Sequence, residues 1–449
     1  MSLLRAAGIA FGMMLGTILG PATGWEGPWT RGKTEPLWSG IRPVRVIPFP
    51  YRRGETPAAN GRRLTQAMQQ LRPGDRLEIA SGRYVLAARF TLDLQGTRDA
   101  PIWIVGRDPR HPPRIERLDA GQNLINLGER RPTRYLALRH LELKGGSVAI
   151  RFYGCSDVWL DQCELHHAAH GGITANSRNT RRLFITRNHL HDFHGGTGEA
   201  MYLGANHGQV VMRDSVIAGN HVHDCGGEQG DGIELKQGSF GNWIVSNHIH
   251  DTNYPCLIVY GTGGKGINVI ERNICYRSRD NVMQVQGEAI VRNNLIMSAR
   301  GAGFASTDHQ GKTRALTVLH NTIITEGVGA NLSSWNGRAE MVFANNAVYS
   351  RHRAAIRFPH GSAGVAVAGN VVLGGVEGAR RGSVPGRGLE DFRSVRWDAR
   401  RRQAAPAPGS PLLGAADPRF PVPHDLTGRP RHSKTTAGAL ESTRQRQRG

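Results

Sequence analysis

Short apolar runs recur along most of the chain, and each is followed by an asparagine and a second apolar run. The asparagines of this repeat, each with an apolar residue two positions later, are Asn188, Asn220, Asn247, Asn273, Asn294, Asn321, Asn346 and Asn370. A glycine-rich stretch and a third apolar run complete a unit of about 25 residues. Three short strands and three turns per unit are typical of one coil of a parallel β-helix. One coil cannot bury its apolar face alone, so we expect the coils to stack.

The recurring asparagines predict a ladder along one turn of the stacked coils. Each side-chain amide is expected to bond to the backbone and to the asparagine of the next coil. Asparagine tolerates the left-handed backbone that such a bend requires. We therefore expect the ladder residues to occupy the bend themselves.

The third strands of successive units can be aligned by their alternation of apolar and polar residues. One predicted inward column contains Ile150, Ile173, Met201, Ile233, Leu257, Met283, Phe304 and Ala330. The outward column that follows it contains Arg151, Thr174, Tyr202, Glu234, Ile258, Gln284, Ala305 and Asn331. A second outward column contains Tyr153, Asn176, Gly204, Lys236, Tyr260, Gln286, Thr307 and Ser333. With rungs spaced by about 4.8 Å, the two outward columns form one polar groove face.

The ends of the chain lack this repeat. Residues 1–24 hold one arginine before an apolar run, which predicts a secretory signal peptide and a periplasmic or secreted protein, with an uncleaved anchor as the alternative. Residues 25–59 are an N-terminal extension. The β-helix is predicted over residues 60–375, beginning with a capping helix whose apolar face carries Leu64, Met68 and Leu71. Residues 376–449 are rich in arginine and proline and are predicted to be irregular, with a disordered end.

The formal charge of +21 makes polyanions the first class of partner to consider. Residues 141–350 contain 17 Lys+Arg and 18 Asp+Glu, which leaves 40 against 18 for the two flanks. Export and a nearly neutral coil region favour an acidic polysaccharide over nucleic acid, with no membrane span after signal cleavage and a monomeric state. The odd number of scattered cysteines, five, indicates buried thiols rather than disulfides or a zinc ribbon.

The outward columns concentrate their chemically active side chains around the stretch GDGIELKQGS. Glu234, Lys236 and Tyr260 are the candidate catalytic residues, with Lys236 as base and Tyr260 as acid. The candidate substrate-binding residues are Arg151, Tyr153, Tyr202, Gln284, Gln286 and His309. A row of amides, aromatic rings and charges suits an extended sugar chain. The alternative is that these residues are polar only because they face outward.

Two acidic residues, Glu199 and Asp231, occupy matching positions at the turn that enters the third strand, and Glu228 is nearby in the sequence. Two carboxylates one rung apart repel each other unless a cation or a proton lies between them. A hard cation such as Ca²⁺ would meet this need. The alternative is that each carboxylate accepts backbone N–H groups at a glycine turn.

Histidines form a second recurring group in the segments NHLHD, NHVHD and NHIHD of three successive coils. Their side chains are expected to stack as two rows, which are His189, His221 and His248, and His191, His223 and His250. With the neighbouring aspartates Asp192, Asp224 and Asp251, they offer ligands for a transition metal. A purely structural ladder is the alternative.

The segments PGDRLEIASGRYV, APIWIVGR and YLALRHLELKGG resemble the opening of secreted bacterial right-handed parallel β-helix proteins of the pectate-lyase-like superfamily. The segment DLTGRPRHSKTTAGALE resembles the terminal segment of many of them. The resemblance covers roughly residues 60–440. It implies an all-β fold, a single-stranded right-handed parallel β-helix, but it leaves the activity open. The superfamily includes lyases, glycoside hydrolases, uronan C5-epimerases and non-catalytic surface proteins.

A shorter stretch resembles the acid-x-acid-x₄-Lys motif of the chondroitinase B and alginate lyase family. Asp231 and Lys236 match that motif, which implies that Asp231 binds calcium and that Lys236 is the base. The first acid is replaced by Gln229, and the family's catalytic arginine is replaced by Tyr260.

The sequence thus predicts a lyase that cleaves a uronic-acid polysaccharide by β-elimination. Reprotonation from the opposite face would make the same site an epimerase. A hydrolase that uses Glu199, Asp231 and Glu234 as acid and base is a second hypothesis. A non-catalytic carbohydrate-binding or envelope protein is a third.

Overall fold

The computed structural model describes residues 34–431 and 435–442. The predicted signal peptide and most of the predicted disordered end lie outside the described residues. The described chain winds into a parallel β-helix of roughly 13 coils with three sheets of 14, 13 and 12 strands. Among the described residues, no helix is both long enough and apolar enough to cross a membrane.

The first sheet is formed by the strand that opens each coil. Its strands are β1 (Arg45–Phe49), β2 (Asp75–Ile79), β5 (Ile102–Gly106), β8 (Thr133–Arg139), β11 (Cys155–Asp161), β14 (Thr180–Thr186), β17 (Met212–Arg213), β18 (Val216–Ala218), β21 (Trp243–Val245), β24 (Asn268–Glu271), β27 (Ala289–Arg292), β30 (Leu316–Leu319), β33 (Val342–Ala344) and β36 (Ala366–Ala368).

The second sheet follows the asparagine turn. Its strands are β3 (Arg83–Val85), β6 (Arg114–Arg117), β9 (Glu142–Gly145), β12 (Glu164–His166), β15 (His189–Phe193), β19 (His221–Cys225), β22 (His248–Thr252), β25 (Ile274–Ser278), β28 (Leu295–Ala299), β31 (Thr322–Thr325), β34 (Ala347–Ser350), β37 (Asn370–Leu373) and β39 (Ser383–Pro385).

The third sheet completes each coil and carries the candidate site. Its strands are β4 (Thr91–Leu92), β7 (Ile125–Leu127), β10 (Val148–Phe152), β13 (Gly171–Ala175), β16 (Glu199–Leu203), β20 (Ile233–Leu235), β23 (Leu257–Val259), β26 (Met283–Val285), β29 (Phe304–Ser306), β32 (Ala330–Leu332), β35 (Ile356–Arg357) and β38 (Val376–Glu377). The remaining elements are the helix α1 (Pro57–Gln69), the 3₁₀ turns Asn206–Gly208 and Leu389–Asp391, and the antiparallel hairpin of β40 (Phe392–Val395) and β41 (Arg402–Pro406).

The predicted capping helix is confirmed as α1, which begins after the N-cap residue Thr56. The Thr56 side chain accepts a hydrogen bond from the Ala59 N–H, which satisfies one of the free donors of the first turn. Leu64 and Met68 are fully buried in the core at the open end of the first coil. Gly61 lies so close to β3 that a Cβ atom there would be 2.0 Å from the Val85 carbonyl oxygen, so the helix needs glycine at this contact.

The asparagine ladder is confirmed over eight coils, from Asn188 to Asn370. In each step the backbone N–H and the side-chain amide of one asparagine donate to the Oδ1 atom of the next, as Asn220 does to Asn247 at 3.0 and 2.9 Å. The predicted position of the bend was wrong by one residue. The left-handed conformation is adopted by the preceding residue, such as Ser246 with φ of 55° or Arg272 with φ of 56°. The ladder asparagine instead faces inward, because its amide must reach both the backbone and the next coil.

The core consists of the predicted inward residues, stacked one above another. In the third sheet, Ile150 pairs with Ile173, and Met201 pairs with Ile233, in the predicted register. All eight residues of the predicted inward column are fully buried. The five cysteines are buried and free, as predicted.

The strands extend beyond the predicted limits of residues 60–375. At the start, β1 pairs with β2 in the first sheet, and at the end β38 and β39 continue the third and second sheets. The remainder of the C-terminal segment consists mostly of turns, but it packs against the coils. Phe392 and Leu412 lie on the outer face of the second sheet, and Phe420 lies on the outer face of the first.

Candidate functional site

The third sheet brings the predicted groove residues into the predicted column. Tyr202 pairs with Glu234, Glu234 pairs with Ile258, and Ile258 pairs with Gln284. Gly232 fixes how closely these strands approach, since a Cβ atom at this position would be 2.4 Å from the Cys256 carbonyl oxygen of the next coil.

Lys236 lies at the centre of the site, directly after β20. Its Nζ atom donates to the Glu234 carboxylate, and both side chains are buried. The same Nζ atom is 4.4 Å from the ring centre of Tyr202 and 5.2 Å from that of Tyr260. The ammonium group is therefore held between the faces of two aromatic rings, which attract a cation. The structure thus brings together the three predicted catalytic residues and one predicted substrate-binding tyrosine.

Three buried carboxylates lie beside this lysine. Oxygen atoms of Glu199, Asp231 and Glu234 are all within 4.8 Å of one another. One oxygen atom of each, Oε1 of Glu199, Oδ1 of Asp231 and Oε2 of Glu234, has no hydrogen-bond partner in the described part of the chain. Thr197 donates a hydrogen bond to the other oxygen of Glu199. Buried polar atoms in proteins normally have a partner, so three grouped carboxylates that each have one unpartnered oxygen fit a bound cation with oxygen ligands.

Burial and mutual repulsion raise the pKa of these carboxyl groups. Burial raises the pKa of Glu199, and the negative charge of Glu234 adds to the effect. Burial raises the pKa of Asp231 well above its ordinary value, and the charges of Glu234 and Glu199 raise it further. For Glu234, burial raises the pKa even though Lys236 acts in the opposite direction. Without a cation, these carboxyl groups therefore hold their protons to a higher pH than ordinary carboxyl groups do.

The two tyrosines remain protonated in this environment. Burial raises the pKa of Tyr202 and of Tyr260, and the negative charge of Glu234 adds to both shifts. Each hydroxyl group therefore keeps its proton at neutral pH and can donate it.

Glu228 lies apart from the carboxylate cluster. Its side chain is exposed, whereas Glu199, Asp231 and Glu234 are buried. Glu228 belongs to the glycine-rich turn before β20 and is not among the grouped carboxylates. The carboxylate that joins Glu199 and Asp231 is Glu234, which the sequence pattern assigned to the catalytic group.

Two predicted substrate-binding residues, Arg151 and Tyr153, lie together at one end of the groove. The Arg151 guanidinium is 5.4 Å from the Tyr153 ring centre and donates to Ser177 and Asn176. Arg151 is three rungs from Glu234, which corresponds to roughly 14 Å.

The other predicted substrate-binding residues lie on the opposite side of Lys236. Gln286 is buried and accepts a hydrogen bond from the Gly261 N–H and donates to the Gly311 carbonyl, so it supports two turns of the fold. Gln284 is partly buried and accepts from Asn281 at 3.3 Å. His309 is exposed, with its ring centre 5.5 Å from that of Tyr260.

A contact between two turns that the sequence did not predict covers the groove. We call residues 206–209 and 308–310 the roof. Gln310 donates to the Asn206 Oδ1 atom at 3.2 Å and accepts from the His207 N–H at 3.3 Å. Tyr202 also donates to Asn206, at 3.4 Å. The roof joins turns of coils that are four rungs apart, and Lys236 and Tyr260 lie on the coils between them. No repeat links these turns in sequence, so no pattern indicated that they meet.

A cavity of about 180 Å³ continues the groove beyond Tyr260. Its lining residues are Gln237, Gly261, Gly263, Gln286, Glu288, Gly311, Lys312 and Arg314. Arg314 donates to Glu288 at 2.8 Å, whereas Lys312 is exposed and makes no ion pair within the described residues. Lys312 therefore offers a positive charge at the rim of this cavity.

The comparisons with known proteins agree with this fold. The family described as "Right handed beta helix region" matches residues 133–265 and 214–348, which include the candidate site. No curated protein sequence matches the chain significantly.

Among solved structures, pectate lyase Pel9A is similar over 90% of this chain and 98% of its own, with 14% identity and a TM-score of 0.53. A mutant of the PL6 family alginate lyase AlyGC is similar over 76% of this chain and 53% of its own, with 14% identity and a TM-score of 0.51. At such identities the similarity establishes a right-handed parallel β-helix and not an activity.

Proposed function

We propose that this protein is an exported polysaccharide lyase that cleaves an acidic, uronic-acid-containing polysaccharide by β-elimination. The observation that supports this function is the cluster of three buried carboxylates with unpartnered oxygens next to a buried lysine held between two tyrosine rings. The similar structures are named as a pectate lyase and an alginate lyase, which is compatible with this substrate class.

Lys236 is the proposed base. A uronic acid carries a proton on the carbon next to its carboxyl group, and removal of this proton is the first requirement of β-elimination. Lys236 acts in its amine form, after its ammonium group has released a proton: Nζ takes the proton from the carbon, the electron pair of the broken C–H bond forms a carbon–carbon double bond, and the glycosidic bond to the leaving oxygen breaks. Tyr202 and Tyr260 restrict the position of Nζ from two sides.

Tyr260 is the proposed acid. Its hydroxyl group stays protonated at neutral pH because burial and the charge of Glu234 raise its pKa. It therefore retains a proton to donate to the departing oxygen. Exposed His309, beside the Tyr260 ring, is proposed to contact the sugar on the leaving side.

Glu199, Asp231 and Glu234 are proposed to hold a divalent cation, with Ca²⁺ as the best match to three carboxylates. The unpartnered oxygens are suitable ligands for such an ion. Glu228, which the sequence pattern suggested as a third ligand, is exposed and is left out of this proposed site. When bound, the cation supplies positive charge that neutralises the substrate carboxylate.

The geometry is less suitable for glycoside hydrolysis. Oxygens of the three carboxylates lie within 4.8 Å of one another. Inverting hydrolases separate their two carboxyl groups by about 6.5–9.5 Å, and retaining ones by about 5–5.5 Å, with the sugar between them. The carboxylate oxygens here are closer together than in either class, which favours a shared cation over a separate acid and base.

To test this proposal, the protein is incubated with a panel of polyuronates and acidic bacterial exopolysaccharides. The unsaturated product is measured by its ultraviolet absorbance. We expect product with the wild type plus calcium, a loss of activity with chelator, and a decrease of about 10²–10⁴-fold in Lys236→Ala. Lys265→Ala is the matched control, since Lys265 is an exposed lysine on a neighbouring turn. Full activity of Lys236→Ala, or reducing ends without the absorbance, would refute the proposal.

A further inference from the structure

The outer face of the second sheet carries a double row of histidines, separate from the third-sheet site. We call these six side chains, on β15, β19 and β22, the histidine ladder. One row is His189, His221 and His248, and the other is His191, His223 and His250. Rings within each row stack at about 5 Å, as His189 and His221 do with centres 5.0 Å apart.

Aspartates fix the orientation of the second row. The Nδ1 atoms of His191, His223 and His250 lie 2.7, 2.6 and 2.6 Å from the carboxylates of Asp192, Asp224 and Asp251, each of which directly follows its histidine. A carboxylate on Nδ1 keeps the proton on that atom and leaves Nε2 with a free electron pair. The same arrangement supports the histidine ligands of metal ions in proteins.

The Nε2 atoms of His223 and His250 face the other row, whereas the Nε2 atom of His191 lies 3.0 Å from the Glu164 carboxylate. The Nε2 atoms of His189 and His223 are 2.8 Å apart, and those of His221 and His250 are 3.0 Å apart. Because the His223 and His250 Nε2 atoms are acceptors, His189 and His221 donate the single proton in each pair. Replacing that proton by a metal ion needs only a change of tautomer and a small rotation of the rings.

We infer that the histidine ladder binds a divalent transition metal such as Zn²⁺ through imidazole nitrogens. Three groups each bring three ligand atoms within 4.8 Å of one another. They are Glu164, His189 and His191; then His189, His221 and His223; then His221, His248 and His250. Zinc binds histidine nitrogen at about 2.0–2.1 Å, which places tetrahedral ligands roughly 3.4 Å apart, within the range of separations in these groups.

The imidazoles are accessible to a metal ion. The side chains of His223 and His250 remain 18% and 14% exposed, so an ion can reach the ladder from solvent. The three aspartates occupy left-handed bend positions, with φ of 54–59°, and from there their carboxylates contact the Nδ1 atoms of the second row.

The first and third ligand groups share no residue, so the ladder has room for two ions. His221 belongs to two of the groups, and His189 also belongs to two. The variant His221→Gln therefore leaves only the group that contains Glu164, and the double variant His189→Gln/His221→Gln removes a ligand from every group.

The experiment is equilibrium dialysis of the full chain against Zn²⁺ at neutral pH after treatment with chelator. We expect up to two ions in the wild type, fewer in His221→Gln, and an affinity at least about tenfold lower in the double variant. The control His352→Gln, at an exposed histidine elsewhere, should bind as the wild type does.

A second measurement identifies the ligands and does not depend on the stability of the variants. Electron paramagnetic resonance of the wild type with Cu²⁺ should show coupling to nitrogen, because imidazoles are the expected ligands. Equal Zn²⁺ binding by the wild type and the folded double variant, or a copper spectrum without nitrogen coupling, would overturn the inference.

Discussion

The orientation of each side chain at the candidate site depends on its immediate neighbours. The alternation of apolar and polar residues correctly placed Tyr202, Glu234 and Lys236 on one outward face. It could not show that Glu234 turns toward Asp231, because the direction of a side chain depends on the charges around it. It also could not follow the turn that carries Glu228, since no repeat fixes the path of that turn.

The carboxylate cluster makes stability depend on pH in a predictable direction. The pKa values of Glu199, Asp231 and Glu234 are raised in the folded protein. Groups with a raised folded pKa contribute stability below their unfolded pKa, about 3.9 for Asp and 4.3 for Glu. That contribution is lost as the pH rises through the folded pKa.

Glu199→Gln is therefore expected to stabilise the metal-free protein at alkaline pH. It removes one buried charge, so the free energy of unfolding in chelator should rise by on the order of 1 kcal/mol, and this advantage should vanish near about pH 4. Thermal unfolding of wild type and variant at several pH values measures the difference. Calcium should stabilise the wild type more than the variant.

The exposed Glu228 is the matched control for this experiment, since it lies in the same region but outside the cluster. Glu228→Gln should follow the wild type at every pH. A Glu199→Gln variant that is less stable than the wild type at all pH values would contradict the repulsion inferred here.

At the scale of secondary structure, the asparagine ladder is the element that the sequence revealed most clearly. The repeat placed all eight asparagines, because each must meet its counterpart in the next coil. It did not reveal that the residue before each asparagine takes the left-handed conformation. Residues as different as Ser246, Arg272 and His320 occupy that position, so their identities carry no common signal.

Asn247→Ala is expected to destabilise the fold by about 2–4 kcal/mol, because it leaves several buried partners without hydrogen bonds. Asn247 donates to the Ile217 carbonyl and to Asn273, and it accepts from Asn220. Chemical denaturation measures the loss. Asn253→Ala is the control, since its side chain makes one hydrogen bond to backbone, and it should cost about 1 kcal/mol or less. Equal losses in both variants would exclude a special role for the ladder.

The roof joins turns on either side of the Lys236 coil, and it is held by few hydrogen bonds. Gln310→Ala removes both of its hydrogen bonds to the turn at Asn206. Amide hydrogens of residues 206–209 should then exchange roughly tenfold faster, since one hydrogen bond contributes roughly 1 kcal/mol. Lys312→Ala, a change in the adjoining turn, should leave this exchange unaltered. Unchanged exchange in Gln310→Ala would show that the roof is held by other contacts.

On the scale of the whole molecule, the N-terminal extension and the C-terminal segment pack on the first and second sheets rather than on the third. Trp38 of the N-terminal extension packs on the outer face of the first sheet, against Trp103 and Trp159. The C-terminal segment covers other parts of the first and second sheets, with the Arg402 guanidinium 4.2 Å from the Tyr276 ring centre. Among the described residues, the third sheet is covered mainly by turns of its own coils.

The described parts of the two flanks therefore pack on the first and second sheets, away from the third-sheet site. The sequence showed where the positive charge of the flanks lies along the chain, but it did not show that these segments fold back onto the sheets, because they carry no repeat. A cationic surface attracts an acidic polymer over distances of about 8–10 Å in physiological salt. We expect the groove, and not this surface charge, to recognise the sugar.

The central claim is that the chemistry at Lys236 is an elimination. The most direct measurement is mass spectrometry of the products formed from a polyuronate in water labelled with heavy oxygen. Elimination predicts unsaturated chain ends without heavy oxygen from the cleavage step, and a strong loss of this product in Lys236→Ala. Heavy oxygen incorporated at the cleaved bond would show hydrolysis and contradict the account.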